Sequence, residues 1–593
     1  MWTSACSCRG IPRLQSSLVS LNNYYSALLH SQSSNPSKSR NTQLMRNPPP
    51  KVINLEDTLK VFDEMLHRCH LPSVVRFNQI LGPLVKLKHY SEVIYSYKQM
   101  GLLGIVLNIY SLAIIINCYC HLNKMGFSLS VLGKFFKCGL EPDVTTLNTL
   151  INGFLLADRV TEATAIFSKM VEGGYCKPDV CTFNTLTKGL CIKGNNSGAL
   201  QLLRKMEQFG DCKPDLVAYS TIIDSLCKDT LIVDAFNLLS EMITKGIAPD
   251  IITYNSLIHG VCRLGQWKEA TRLLNEMVSR NIFPNLYTFN ILVDSLCKEG
   301  MVVEAKSVVE IMIQRDIEPD TVTYNSLMDG YCLRGEMDEA REVFDLMVSK
   351  GSMVDAQSYN ILMNGYCKHK KIDEAVTLFQ EMSRKGLIPD TVIYNTLMNG
   401  FCKLGRIQDA QKLFFRMQAY GQFPDVVSYA VLLDGLCKSQ QLDMAINLLK
   451  EMEGKKLDPD IVIYNIFMDY FCKAGKVEAA RDLFCGLSSK GLHPDVKTYT
   501  IMISGFCNSG LISGAEKLLR EMEEKGCLPS YVTYNTIVRA LIHNNEMSRA
   551  MELIHQMVER GFCADASTME LIVDLLSQDK VDPALLPLIK QSF

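Results

Sequence analysis

Ten cysteines, Cys191, Cys227, Cys262, Cys297, Cys332, Cys367, Cys402, Cys437, Cys472 and Cys507, occupy one recurring position in the chain. Thiols at a fixed spacing could bridge as disulfides or hold zinc. Bridging fails on geometry: neighbouring helices pack about 8–10 Å apart, whereas a disulfide needs Cα atoms within about 7 Å. The C-x-x-C pairs that structural zinc sites favour are absent. The register therefore reads as small, buried, apolar side chains in a reducing compartment. The recurring aspartates sit in separate repeats, too far apart to share a metal ion as nuclease carboxylates do. The paired H-x-E and C-x-x-C patterns of zinc deaminases do not occur. No catalytic centre, metal or cofactor is therefore expected. A second periodic set remains: Asn255, Asn290, Asn325, Asn360 and Asn395 fall 35 residues apart.

A fixed period between 20 and 50 residues marks a solenoid or propeller, in which each repeat buries its apolar face on its neighbours. Full repeats open at Val74, Ile109, Val144, Val180, Leu216, Ile251, Leu286, Thr321, Ala356, Thr391, Val426, Ile461, Val496 and Tyr531, fourteen in all. Twelve span 35 residues, and those opening at Val144 and Val180 carry one more before Lys-Pro-Asp. Apolar residues at i, i+3, i+4, i+7 and i+8 (Tyr324, Leu327, Met328, Tyr331, Cys332) predict a first helix in each repeat. Ala340, Val343, Phe344 and Met347 continue the period into a second. Alanines in register from Ala163 to Ala550 predict close helix approach there. Glycines such as Gly335 and Gly351 end the helices in the left-handed region, and the following Pro-Asp keeps the chain extended. The expected fold is all-α: a right-handed superhelical solenoid of about fourteen full helix-turn-helix repeats of 35–36 residues. Residues 56–73 read as a partial repeat, 74–565 as the fourteen full repeats, and 566–593 as a partial repeat or cap.

Residues 1–55 are different in kind. They hold eleven Ser, no Asp or Glu, and six basic residues, Arg9, Arg13, Lys38, Arg40, Arg46 and Lys51. That composition predicts an organelle transit peptide or a disordered leader. The whole chain carries a net charge of −2, which leaves about −8 once the leader is set aside. A nucleic-acid binder usually shows a basic surface, so any such binding here must rely on placed cations rather than bulk charge. No apolar run approaches the roughly 18 residues of a membrane span, and no membrane partner is expected.

The pattern TYNSL-x-x-G-x-C-x-x-G-x-x-x-EA, followed by M-x-x-x-G-x-x-PD, resembles the pentatricopeptide repeat over essentially all of residues 56–580. The period of 35 separates it from tetratricopeptide repeats of 34, whose protein-binding scaffolds are the alternative reading. LPSVVRFNQILGPLVKLKHY, DIITYNSLIHGVCRLGQWKEA and NLYTFNILVDSLCKEG resemble the restorer-of-fertility-like subgroup of the P class. The resemblance implies a monomeric, sequence-specific binder of single-stranded organellar RNA, in the mitochondrion or alternatively the plastid. It also implies a role in transcript processing, stability or translation without catalysis of its own, any cleavage falling to a separate nuclease or processing factor.

The same resemblance implies one base per repeat, read by the fifth and last residues. The pairs are Asn78 with Asn108, Ala113 with Asp143, Asn148 with Asp179, Asn184 with Asp215, Ser220 with Asp250, and Asn255 with Asn285. Then come Asn290 with Asp320, Asn325 with Asp355, Asn360 with Asp390, and Asn395 with Asp425. The last are Ala430 with Asp460, Asn465 with Asp495, Thr500 with Ser530, and Asn535 with Asp565. An Asn amide offers donor and acceptor together, matching a pyrimidine edge, and a carboxylate beside it can orient that amide. The family's rule gives 5′-Y-?-U-U-G-Y-U-U-U-U-?-U-?-U-3′, where Y is a pyrimidine and the open positions belong to Ala113, Ala430 and Thr500. The competing account of the Asp residues is helix capping, which leaves Asn108 and Asn285 in that register unexplained. By resemblance, Val75, Val217, Ile252, Val322, Val392, Val427, Val462 and Val532 at the second position would sandwich bases. Lys228, Arg263, Lys298, Lys368, Lys403, Lys438 and Lys473, each following the recurring Cys, would approach phosphate; a cation there also suits a helix C-terminus.

Overall fold

The computed structural model describes residues 55–68, 71–173, 176–209, 212–350 and 354–577; residues 1–54 of the leader, Gly351 and residues 578–593 of the C-terminal cap lie outside them. First helices open at all fourteen residues the period predicts, from Val74–Lys86 to Tyr531–His543. Second helices follow, from Tyr90–Leu102 to Met547–Glu559. Helix Leu55–Leu66 precedes the series and Ala566–Ser577 follows it. The described residues contain no strand, and none of their helices is long and apolar enough to cross a membrane.

The chain divides into two compact halves, one ending at Ser326 and the other beginning at Leu327. In the first half, Ile109–His121 packs on its own second helix, Met125–Lys137, and on the next first helix, Val144–Leu156. In the second half, Thr391–Lys403 packs the same way on Ile407–Ala419 and Val426–Lys438. This is the neighbour-only burial expected of a stacked array. The registered alanines, Ala163 through Ala550, are all fully buried. So are the tyrosines at the fourth position, such as Tyr219, Tyr254, Tyr359 and Tyr429.

The recurring cysteine has a packing partner that explains its size. A Cβ added at Gly400 would lie 2.7 Å from the Cys367 Sγ, and one at Gly365 would lie 2.5 Å from that of Cys332. The thiols of Cys227, Cys332, Cys367, Cys402 and Cys472 thus sit where the next repeat offers bare glycine backbone, whereas Ser225, Ser295, Tyr470 and Ala540 hold that position after Cys191, Cys262, Cys437 and Cys507. Burial pushes the thiols of Cys227, Cys332, Cys367 and Cys437 up to about 12, which keeps them protonated and inert. His121 adjoins Cys118 and Cys120 in sequence but stacks on Tyr90 at 4.7 Å. Among the described residues no group of His, Cys, Asp and Glu is placed to hold a metal ion.

Two further devices set hairpin geometry, the first in every repeat and the second in several. The turn between its helices puts the fifteenth residue in the left-handed region in every repeat, with φ +82° at Gly335 and +63° at Thr230. Glycine adopts this freely, whereas a β-branched Thr is strained there. The second device latches the helices together. Tyr219 Oη donates to Glu241 at 3.0 Å, Tyr254 to Glu276 at 3.0 Å and Tyr429 to Glu451 at 3.2 Å. Lys245 and Lys455, one turn beyond those glutamates, lie over the rings of Tyr219 and Tyr429.

Candidate nucleic-acid interface

The last residue of every repeat caps the first helix of the next. Its side chain accepts the backbone N–H three residues on, at distances from 2.7 Å (Asp495 from Thr498) to 3.3 Å (Ser530 from Thr533). Asn108 and Asn285 cap as the aspartates do, accepting from Ser111 at 2.9 Å and Thr288 at 3.0 Å. Capping is thus a full part of these residues' work, and it explains their position ahead of a helix. It engages only one carboxylate oxygen, however, and says nothing of the fifth residue.

The fifth residue supplies the second half of the arrangement. Asn148 Nδ2 donates to the Asp179 Oδ1 at 3.1 Å, Asn184 to that of Asp215 at 3.2 Å, and Asn290 to that of Asp320 at 3.1 Å. An amide held by its nitrogen turns its oxygen the other way. The Oδ1 atoms of Asn148, Asn184, Asn325, Asn395 and Asn465 are buried and accept no hydrogen bond from the described residues. A buried acceptor left without a partner costs about 1–3 kcal/mol, which sets these five oxygens apart from the other fifth-position residues. Burial pushes the Asp179 and Asp425 carboxyls up, but the hydroxyl and backbone N–H of Thr182 or Ser428, three residues on, and the Asn amide together hold both below the usual carboxylate range. They are charged, and act only as acceptors.

Other fifth residues are engaged differently. The Asn255 and Asn290 oxygens accept the hydroxyls of Thr288 (2.8 Å) and Thr323 (2.5 Å), and Asn360 accepts that of Thr396 at 2.7 Å. Ser220 and Thr500 share hydroxyl bonds with Thr253 (2.7 Å) and Thr533 (2.9 Å). Ala113 and Ala430 present no polar atom. At the two ends the amides are used up internally. The Asn78 Oδ1 takes Tyr97 Oη at 2.8 Å and Ser111 Oγ at 3.0 Å. Asn535 is fully buried, donating to the Tyr531 carbonyl at 2.8 Å and accepting the Asp565 N–H at 3.0 Å.

Within each half, exposed apolar side chains accompany these amides at the second position of the repeat. Val75, Val217, Ile252, Val322, Val392, Val427, Val462 and Val532 are between 41% and 62% exposed, although each lies one residue inside a helix whose fourth, seventh and eighth residues are buried. Tyr110 and Tyr287 hold the same register and are 64% and 63% exposed. Sequence reasoning passed over these two, yet their place second in the repeat marked them. In the first half Val217, Ser220, Asp250, Ile252, Asn255 and Lys228 line one cleft of about 870 Å³. Second, fifth and last positions and a cation thus share a wall.

The sequence pattern of the PPR repeat family matches the chain at residues 142–192, 178–228, 214–263, 249–298, 291–332, 319–368, 354–392, 389–438, 424–462, 459–508, 502–542 and 529–578. The chain belongs to the PPR repeat family. A pentatricopeptide repeat-containing protein of Arabidopsis thaliana, named as mitochondrial, is 44% identical over 117 residues, 20% of this chain and 19% of that relative. A second from the same plant, also named as mitochondrial, is 41% identical over 90 residues, 15% of this chain and 14% of the relative. The matches thus span under a fifth of either relative's length. The crystal structure of the pentatricopeptide repeat protein PPR10 in complex with an 18-nucleotide psaJ RNA element is 22% identical. It covers 88% of this chain and 84% of its own, with a TM-score of 0.47.

The cations of this PPR chain are not free point charges. Lys228 pairs with Asp224, Lys298 with Asp294, Lys438 with Asp434 and Lys473 with Asp469, all at 2.6–2.7 Å and one helical turn apart. Arg263 donates to the Lys228 carbonyl at 3.1 Å. Lys368 and Lys403 close their first helices and are exposed. The aspartates were readable in the D-x-x-x-K spacing of DSLCK, DGLCK and DYFCK. An exposed pair of this kind is worth about 0–1 kcal/mol, so a phosphate can compete for the lysine.

Proposed function

We propose that this PPR protein, a member of the P class and its restorer-of-fertility-like subgroup, binds single-stranded RNA in the mitochondrion, one base per repeat along a U-rich tract. The row of buried, empty Asn Oδ1 atoms beside exposed aliphatic side chains carries this reading. Where the aspartate accepts one amide N–H, as Asp179 does from Asn148 and Asp215 from Asn184, the amide keeps an acceptor and one further N–H. Uracil's edge, with N3–H flanked by carbonyl oxygens, complements that pair. A valine on either side of the base excludes water and supplies dispersion, though less than the roughly 1–3 kcal/mol of an aromatic stack. The names of the Arabidopsis relatives support the mitochondrial placement. Bound along a transcript, the protein acts by occupancy: it blocks nucleases, remodels the RNA or recruits a separate processing factor.

The test is binding of the protein to the fourteen-base sequence given above and to a control with each U changed to A. A variant carrying Asn325→Thr, Asn360→Thr and Asn395→Thr with Asp355→Asn, Asp390→Asn and Asp425→Asn is measured beside it. The native chain is expected to prefer the U-rich RNA, and the variant to move toward A. Equal weak binding to every oligomer, unchanged in the variant, returns the aspartates to capping alone. No affinity for RNA at low salt favours a protein-binding scaffold.

A further inference from the structure

The fourteenth repeat carries the same reading pair as the tenth, Asn535 with Asp565 against Asn395 with Asp425, yet its hydrogen bonds run the other way. The difference traces to Arg539. Its guanidinium donates to the Asp565 Oδ2 at 2.6 Å and to the Thr568 Oγ1 at 3.1 Å. The equivalent residue is Asn399 in the tenth repeat, and Asp434 and Asp469 in the two after it. At a cap such as Asp425, the hydroxyl three residues on (Ser428) accepts the cap's own N–H, at 3.3 Å. At Asp565 the matching hydroxyl faces Arg539 instead, and the Asp565 N–H turns to the Asn535 Oδ1 at 3.0 Å. With its oxygen drawn in, Asn535 points its nitrogen at the Tyr531 carbonyl of its own helix, 2.8 Å away. Both ends of the amide are occupied, and no part of it is exposed. The second carboxylate oxygen is neutralised by the guanidinium.

We propose that Arg539 closes the fourteenth repeat to bases, so that readout stops at the thirteenth. This rests on the base-reading function proposed above, and it makes Arg539 a positioning residue that sets the 3′ boundary of the recognised sequence. The test measures affinity for the fourteen-base RNA with U→A changes made separately at base ten and base fourteen. The native chain is expected to lose about fivefold at base ten, the worth of one net hydrogen bond, and less than about twofold at base fourteen. Arg539→Asn, which installs the residue of the tenth repeat, is expected to bring the penalty at base fourteen to about fivefold with the melting curve unchanged. A native penalty at base fourteen equal to that at base ten overturns the proposal. So does an Arg539→Asn protein that folds normally and stays indifferent to base fourteen. If neither base matters, the base-reading function itself fails, and this proposal with it.

Discussion

The repeats opening at Thr391 and Tyr531 carry the same fifth and last residues and put them to opposite uses. In the first, the Asn395 amide bond helps hold the Asp425 carboxyl low, and the Asn395 oxygen is buried with nothing donating to it. In the second, every polar atom of Asn535 is satisfied within the chain. A residue pair is therefore insufficient to define a reader. What decides is whether a third side chain, here Arg539, leaves the cap's second oxygen and its partner hydroxyl alone. The open repeat carries the unsatisfied group, and the closed one resembles an ordinary core.

That contrast makes its largest prediction on stability. Asn535→Ala removes a fully bonded buried amide and strands the Asp565 N–H, and should destabilise by about 1–3 kcal/mol. Asn395→Ala removes a group that is already short of a partner, and should change stability by less than about 0.5 kcal/mol while erasing any preference at base ten. Denaturant unfolding of the two variants, with a binding measurement on the second, checks both. Equal losses would mean that Asn395 is satisfied in solution and the row of empty acceptors does not exist.

Acid tests the caps next. Asp179, Asp425 and Asp495 lie below the usual carboxylate range in the folded chain: burial opposes this, but the hydrogen bonds they accept outweigh it. A depressed folded value means the unfolded chain binds the proton more tightly. Their contribution is therefore fully present above the ordinary carboxylate value near 4, and is lost as pH falls through the lower folded values. Glu241, held at about 2 by Arg204, with help from Lys245 and Tyr219 against opposing burial, adds to the same window. Melting temperature should fall steadily below about pH 4. Asp425→Asn, which keeps the cap but cannot titrate, should show a shallower fall; an unchanged acid profile would mean the charge of the cap is irrelevant.

Smaller again is the stacking line. Val427 is 57% exposed, so Val427→Ser should leave stability within about 0.5 kcal/mol. If the base is sandwiched there, RNA affinity should fall by up to about 1 kcal/mol, below the range for an aromatic stack. The same replacement at Val532, in the closed fourteenth repeat, should cost less. Calorimetric binding of both variants separates a base-sandwiching line from an exposed helix surface.

The fold was almost wholly legible from the sequence because each repeat states it again. All fourteen first helices open where the period placed them, and the registered alanines and cysteines identified the buried seams before any coordinates. The site was legible only in outline. Spacing gave the fifth and last residues, but not the direction of the amides, which depends on a hydroxyl three residues into the next repeat and on residues such as Arg539. The Tyr219–Glu241 latch escaped notice because its partners lie 22 residues apart on different helices. The Asp224–Lys228 pairing, by contrast, is legible in its spacing of four residues along one helix.

That pairing yields the smallest effect and the finest test of the groove. Taken as seven free cations, the lysines and Arg263 predict that log K falls with log salt at a slope near −5, from about 0.7 per phosphate contact. Four of those lysines hold an aspartate one turn back. A phosphate that captures Lys438 releases the counterion condensed on the RNA, but leaves the Asp434 carboxylate to recruit a cation from solution. Release and uptake nearly cancel, so a paired lysine contributes little to the slope. Three unpaired cations then give a slope near −2. Asp434→Asn frees Lys438 and should steepen the slope by about 0.7, while tightening binding at low salt and leaving the melting temperature almost unchanged. A native slope near −5 that Asp434→Asn does not alter would show that the aspartates yield without taking up an ion. A slope near zero would show that these lysines never meet phosphate.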